Sequence, residues 1–520
     1  MKITVFIFLL NIFYTFSYSQ VYREIVIDDS GDPNEPAIVL NPNNTNEIVA
    51  GANIDSYYYS RDGGYTWNEG TLQSTNGVWG DPAIACDSEG NFYFFHLSNA
   101  QNGVWIDRIV CQKSVNGGQS WNNGSYTGLN GNKQQDKQWA TVDRANNNIY
   151  VTWTQFDEYG SSDPGKFSNI LFSKSLDSGA NWSSPIQINQ ISGDCIDSDN
   201  TTEGAFPAVS PNGEIYVAWA GKKTNGENAI LFDKSSDGGD TWLNNDIVVT
   251  DFPGGWDYNI PGISRCNGLP ILKCDTSGGT YNGTLYINWT DQENGTDDTD
   301  VWLIKSIDGG ETWSNKIRVN NDSPSKHQFL TWMDIDQTNG KLYFIFYDRR
   351  NYSDTKTDVY LAISDDGGET FENVKISESP FVPNVGFFGD YTNISVYDGK
   401  IAPIWARADG GHLSIRTIVP DNSGINTADN NLFAEKVFPN PSKDKFYYSF
   451  KIRRKSVISL SVTDIFGKEI YSFMKNKVLL PGKYTETFNA EKNKLASGMY
   501  FFVFSDKNGI KTRKIIYKKR

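Results

Sequence analysis

A chain of 520 residues is too long for one ordinary core, so two or more domains are expected. A formal charge of −15 argues against general nucleic-acid binding, which needs a basic face. Aromatic residues at 14%, with 47 Gly and only 4 Met, describe a turn-rich, aromatic-packed β protein and not a helical one. The charge is unevenly spread. From Val437 onward there are 19 Lys/Arg against 6 Asp/Glu, a net of +13 that leaves −28 for the rest. An acidic body joined to a basic tail implies two modules with separate jobs.

Residues 1–19 read as a secretory signal peptide. Lys2 supplies the positive start, Val5 to Phe16 is apolar, and small residues Ser17 and Ser19 precede Gln20. The apolar run is too short to span a bilayer, and no later stretch is long or apolar enough, so the mature chain is expected to have no transmembrane span. Export makes disulfides permissible. Cys266 and Cys274 flank a short loop and are candidates for pairing, whereas Cys86, Cys111 and Cys195 have no evident partners. His96, His327 and His412 are too scattered for a His-based metal site, and no metal is assigned.

A turn motif then recurs six times: SRDGGYTW at Ser60–Trp67, SVNGGQSW at Ser114–Trp121, SLDSGANW at Ser175–Trp182, SSDGGDTW at Ser235–Trp242, SIDGGETW at Ser306–Trp313 and SDDGGETF at Ser364–Phe371. The Asp or Asn positions are 54 to 71 residues apart. A turn motif on this period, with several short strands per unit, predicts a propeller. The chemistry of the motif is that of a hairpin staple. Its Asp accepts turn N–H groups, its Gly residues permit positive φ, and its closing aromatic ring packs into the sheet.

Seven first-strand segments accompany these six turns, starting at Pro36, Asp81, Trp139, Phe206, Ile260, Thr331 and Tyr391. The last unit lacks a turn motif and a fourth strand. VYREIVI (Val21–Ile27) is a free strand of the right kind and is predicted to complete it, closing the ring and removing a free edge. Seven four-stranded blades are therefore favoured, with six as the alternative. Polar insertions after Phe156 and from Gly221, Asp291 and Asp348 fall on the face opposite the turn motifs, where function is expected, at the mouth of the central channel.

These Asp boxes resemble those of the sialidase superfamily, the BNR-repeat proteins, over residues 20–419. That resemblance implies an arginine triad for a substrate carboxylate, an Asp acid/base and a Tyr nucleophile assisted by Glu. Tyr391 opens the last blade, as the family's nucleophile does, and Glu203 opens a middle blade and is its candidate assistant. Asp81 or Asp136 is the candidate acid. Arg265, Arg349 and Arg350 are the candidate anion-binding groups, with Asp390 beside Tyr391. The family's first arginine lies in an Arg-Ile-Pro motif, and Asn34 stands in its place, before Glu35-Pro36-Ala37-Ile38. A carboxylate ligand loses a bidentate cation there. Trp139, Trp256 and Trp332 offer stacking faces for a sugar. Asp297, Asp298 and Asp300 form an oxygen-rich loop that suits Ca²⁺ and equally suits a solvated acidic loop. No other cofactor is expected.

Residues 420–436 are polar and aperiodic and read as a linker. From 437 to 520, alternating strands around Phe466-Gly467-Lys468 and Asn508-Gly509 predict a small antiparallel β-sandwich of about seven strands. Val437-Phe438-Pro439-Asn440-Pro441, Asp464-Ile465-Phe466-Gly467-Lys468 and Leu495-Ala496-Ser497-Gly498-Met499-Tyr500, followed by a basic end, resemble the type A C-terminal sorting domain of the type IX secretion system in Bacteroidetes. This implies the secretion machinery as a partner and a secreted or cell-surface product. Two functions stand against each other: a sialidase-like glycoside hydrolase, and a non-catalytic propeller that binds glycans or surface glycoproteins. A structural exoprotein without a specific ligand is the third. Three arginines converging on Tyr391 would favour the first, and a channel plugged by aromatics the others.

Overall fold

The structure is a computed structural model that describes residues 22–421, 432–452, 455–465, 467–480, 482–506 and 509–519. The expected signal peptide, Phe466, Asn508 and positions 422–431 of the expected linker lie outside these residues. The chain divides into two compact units, one spanning Tyr22–Val419 and the other holding the C-terminal residues from Pro420.

All regular elements described are strands. The larger unit is built from seven four-stranded sheets. Ala37–Leu40, Ile48–Ala52, Ser56–Ser60 and Asn68–Thr71 make the first, and five more repeat the same consecutive order. The last comprises Asn393–Tyr397, Lys400–Asp409 and His412–Pro420, and Tyr22–Asp28 fills its outer position beside His412–Pro420. The two ends of the chain segment thus share one sheet, as the free N-terminal strand predicts. The first and last sheets also pack together, through Ile38 and Leu40 against Ala402, Ile404 and Ile415. Leu40 N–H donates to Ser395 Oγ at 3.1 Å. The sheets form a closed β-propeller. Trp153, Trp219, Trp289 and Trp405, at equivalent places in the second strands of four sheets, are fully buried.

The Asp boxes share one geometry. In SIDGGETW, Ser306 Oγ donates to Asp308 Oδ1 at 2.7 Å and accepts Gly310 N–H at 2.9 Å. Thr312 N–H and Oγ–H donate to the two oxygens of Asp308 at 3.0 and 2.6 Å. Asp62 is held the same way by Ser60 and Thr66. These donors hold the Asp308 carboxyl below the usual range, at about 2, with the Thr312 hydroxyl the largest cause.

The boxes also tie neighbouring sheets together. Lys174, Lys234 and Lys305, each on a third strand, donate to Gly238, Gly309 and Gly367 carbonyls in the next sheet's box at 2.8–3.0 Å. Trp182, Trp242 and Trp313 close their boxes edge-on to Phe95, Phe172 and Phe232 of the preceding sheet. Asp308→Ala leaves Thr312 and Ser306 without their acceptor, and because the turn is exposed it is expected to cost about 0.5–1.5 kcal/mol. Thermal unfolding of the variant at neutral pH checks this. The difference should narrow as the pH falls through the ordinary carboxylate range toward 2, where native Asp308 loses its charge.

The C-terminal unit is a two-sheet sandwich of seven strands. Leu432–Phe438, Lys445–Ile452 and Gly482–Asn489 form one sheet. Glu469–Leu479, Ser456–Thr463, Gly498–Asp506 and Gly509–Tyr517 form the other. Phe446, Tyr448, Phe450, Leu460, Phe502 and Phe504 share its core, with Tyr448 stacked on Phe502 at 4.9 Å. Its first strand starts inside the stretch expected to be linker.

All five thiols are free and buried, Cys266 and Cys274 included. The chain runs from one to the other into the extended strand Ile271–Cys274, which carries the second thiol away from the first.

Candidate functional site

The first strands of the sheets surround the channel, and five of them begin alike. Glu35, Asp81, Lys137 and Leu330 have φ of 50, 51, 48 and 49°, and Gly204 has 73°. Each stands two residues before a buried first-strand side chain: Ala37, Ala83, Trp139, Trp332 and Phe206. The pairing register shifts at this point in three sheets. Non-glycine residues pay roughly 1–2 kcal/mol for the left-handed region, and such strain concentrates where a side chain must be aimed.

Here it builds the wall of a cavity of about 870 Å³, into which Glu35, Asp81, Asp136, Lys137 and Arg265 project. The cavity is formed by inter-sheet connections and second-to-third-strand loops, on the face expected to carry function. Of the four polar insertions, the one after Phe156 contributes, through Tyr159. Loops of the first two sheets supply most of the rest.

Beneath the cavity lies a buried ion network. Lys137 Nζ donates to Asp390 Oδ2 at 2.7 Å and to Asp81 Oδ2 at 3.3 Å. Arg265 donates from Nε to Asp390 Oδ1 at 2.8 Å, makes a second, closer bond to Asp390 Oδ2, and reaches Asp197 Oδ2 at 3.3 Å. Tyr159 donates to the same Asp197 oxygen at 2.5 Å. Asn53 bridges the first two sheets. Its amide donates to Glu35 Oε2 and Asn34 Oδ1, and its carbonyl accepts Asp81 N–H at 2.7 Å. Glu35 in turn accepts Asp390 N–H at 3.1 Å.

These partners push the acids apart. Burial raises the Asp390 carboxyl, but Lys137 and Arg265 outweigh it and hold it well below the usual range. Burial, then the nearby Asp81 charge, raises Glu35 well above it. Burial takes Asp136 to about 7 despite Lys137. Glu203 is fully buried, both its oxygens lack a donor, and burial with Asp197 and Asp136 raises it strongly. Lys137 is desolvated, yet Asp390, Asp81 and Glu35 keep it charged.

Arg349 and Arg350 do not join Arg265. Arg349 donates to Pro261 O at 2.7 Å and Thr357 Oγ1 at 3.1 Å, and its guanidinium lies over Phe329. Arg350 pairs with Asp348 at 2.7 Å and lies on the Tyr360 ring. An arginine triad is therefore not assembled, and Asn34 supplies no cation.

Tyr391 lies under Glu35 and Asp81 with its hydroxyl buried and unpartnered. Burial first, and those two acids next, raise its pKa.

Trp139 and Trp332 are not open stacking faces. They are 6% and 4% exposed and form a plug with Phe206 and Tyr391, the Trp139 ring lying 4.7 Å from Trp332 and 5.1 Å from Tyr391. On the far side of the plug is a second cavity of about 450 Å³. Trp256 is buried away from the mouth, its indole N–H toward Thr201 O. The aromatic rings open at the mouth are instead Trp79 and Trp105, 39% and 40% exposed and packed edge to face, with Tyr159 against Trp105 and Phe387 opposite. Trp79 and Trp105 sit in loops without periodicity. Glu35 had a signal, because Glu35-Pro36-Ala37-Ile38 mirrors Asp81-Pro82-Ala83-Ile84.

In the acidic loop, Asp300 accepts amide donors from Asn320 and Asn294 at 2.6 Å each, and Asp298 accepts Lys326 N–H at 3.2 Å. Among the described residues, no group of three or more His, Cys, Asp or Glu side chains is arranged for a metal ion.

Residues 436–518 match the family described as the secretion system C-terminal sorting domain, and residues 58–69 the BNR/Asp-box repeat. The sorting domain indicates type IX secretion to the cell surface or the extracellular space. It implies contact with that machinery, and no described helix is long and apolar enough to cross a membrane. No curated protein matches the chain by sequence. Among solved structures, a Hadza microbial sialidase is 14% identical, covering 72% of this chain and 74% of its own, with a TM-score of 0.44. An ulvan lyase of polysaccharide lyase family 25 is 13% identical over 76% and 95%, TM-score 0.44. A Penicillium chrysogenum alpha-L-arabinanase complexed with arabinobiose is 14% identical over 66% and 97%, TM-score 0.40.

Proposed function

We propose that this exported propeller holds a glycan at its channel mouth, stacked on Trp79 and Trp105, without sialidase chemistry. The N-terminal sequence and the sorting domain together support export through both membranes. The state of the mouth cations carries the rest. Lys137 and Arg265 are neutralised by Asp390, Asp81 and Asp197. An incoming carboxylate must displace a buried partner that is already in place, with no third cation to offset the cost. Tyr391 is a poor nucleophile here, because its hydroxyl is hydrogen-bonded to no base and burial beside the Glu35 and Asp81 carboxyls raises its pKa. Exposed, edge-packed indoles beside polar groups are suited to sugar rings.

The test is binding and turnover by the full chain on arrayed glycans and fluorogenic glycosides. Trp105→Ala and Trp79→Ala are each expected to weaken glycan binding by about tenfold, with Tm unchanged. Sialic acid release that Tyr391→Phe abolishes would overturn the reading.

A further inference from the structure

We propose that the ligand of the mouth is positively charged: a glycan bearing free amino groups, its ammonium seated among Glu35, Asp81 and Asp136 and its ring on Trp79 or Trp105. The inference rests on the glycan reading above and narrows it to a chemical class.

The charge inventory comes first. Seven carboxyl side chains line the 870 Å³ cavity, against two cations, Lys137 and Arg265. Both cations are committed to Asp390 and Asp197, which lie beneath the lining, and only Asp81 shares one of them. The cavity therefore presents an excess of acid in a partly desolvated space, where one unit charge is felt more strongly than in water.

The second observation concerns what the buried groups lack. Glu35 is 1% exposed, takes donors from the Asn53 amide and Asp390 N–H, and makes no salt bridge of its own, sharing the nearby Lys137 charge with Asp390, Asp81 and Asp136. The Tyr391 hydroxyl, 7% exposed, stands under Glu35 and Asp81 without a partner. Burial, and then Asp81, raise the Glu35 pKa, so its charge is under-compensated in the empty protein. An ammonium group supplies positive charge there and pairs with the Glu35 carboxylate.

The third observation is the rim. Trp79, Trp105, Tyr159 and Phe387 surround the acids with aromatic faces, on which both sugar rings and ammonium groups are favourable. Anionic sugars are repelled by the same lining, and neutral ones gain the stacking without the charge.

Calorimetric titration of the full chain with a glucosamine tetramer, its fully N-acetylated counterpart and sialyllactose tests this. The tetramer should bind at least about tenfold tighter than the acetylated oligomer. Its binding should weaken between low and high salt. Glu35→Gln and Asp81→Asn should each erode the preference while leaving the acetylated oligomer's affinity unchanged, and Trp105→Ala should weaken both oligomers.

Equal or tighter binding of the acetylated oligomer overturns the charge assignment and leaves the glycan reading standing. A preference that survives in both folded carboxyl variants also overturns it. Binding of neither oligomer overturns the charge assignment; sialyllactose binding would then leave the glycan reading standing, and its failure to bind as well sinks both.

Discussion

Asp390→Asn is expected to destabilise the propeller by about 3–5 kcal/mol, because it strands the buried Lys137 and removes the main partner of the half-exposed Arg265. Asp390 is 2% exposed and is the shared acceptor of Lys137 and Arg265. An amide accepts one of these bonds but carries no charge, and its NH₂ group points a donor at another donor. Partial compensation comes from Glu35 and Asp136, whose raised pKa values fall once uncompensated positive charge is nearby, so the lower end of that range is expected. For a unit of this size the change in Tm is about 4–6 °C.

The pH dependence follows from the sign of each shift. Asp390 is depressed in the native state, so its contribution is complete above the ordinary carboxylate pKa, near ~4, and is lost as pH falls toward its native value. The gap between wild type and variant should therefore be full at pH 7 and shrink in acid. Asp136 has the opposite sign. Its native pKa of about 7 means the folded state keeps a proton that the unfolded chain gives up, so wild-type stability declines as pH rises from the unfolded value to 7. A wild-type curve that rises across that interval, or an Asp390→Asn protein as stable as wild type at pH 7, contradicts this electrostatic account. The variant also frees Lys137 and Arg265 toward the cavity, and anion binding there should improve as stability falls.

The architecture was legible because its signals are local. Each Asp box is a turn whose Ser, Asp, Gly and Thr satisfy one another within a few residues, so the motif states its own structure wherever it occurs. The partner for the last sheet was legible by elimination, since Val21–Ile27 had no other sheet to join.

The mouth was legible only in part. Asp81 and Asp390 announce themselves at the starts of first strands. Lys137 does not, because its role needs a left-handed backbone and an acid 253 residues away. Trp139 and Trp332, expected as stacking faces, are covered by neighbouring rings. Sequence gives the residue type and the strand, but whether a ring is covered depends on what three other sheets bring to the same point. The same limit applies to Cys266 and Cys274, which are near in sequence while the strand between them is extended.

Trp139→Ala separates the two kinds of aromatic residue at this site. The ring is 6% exposed and touches Phe206, Trp332 and Tyr391, so its loss leaves a cavity that rigid strands cannot close. A cost of about 3–5 kcal/mol is expected. The hole would also join the mouth to the cavity on the far side of the plug, and Tyr391 would lose the ring that holds it under Glu35. Trp105→Ala, at a position 40% exposed, should change stability by less than about 0.5 kcal/mol. Combining Trp139→Ala with Trp332→Ala should cost less than the two separately, since the second ring is removed from a contact already lost. Denaturant unfolding of wild type, the three single variants and the double variant, beside glycan titration of each, measures both quantities. Stability lost with Trp139 and binding lost with Trp105 is the pattern expected of a plug beneath a ligand platform. If Trp139→Ala left stability intact and abolished binding, the plug itself would be the sugar-contacting surface, and the ligand would sit deeper in the channel than the exposed indoles.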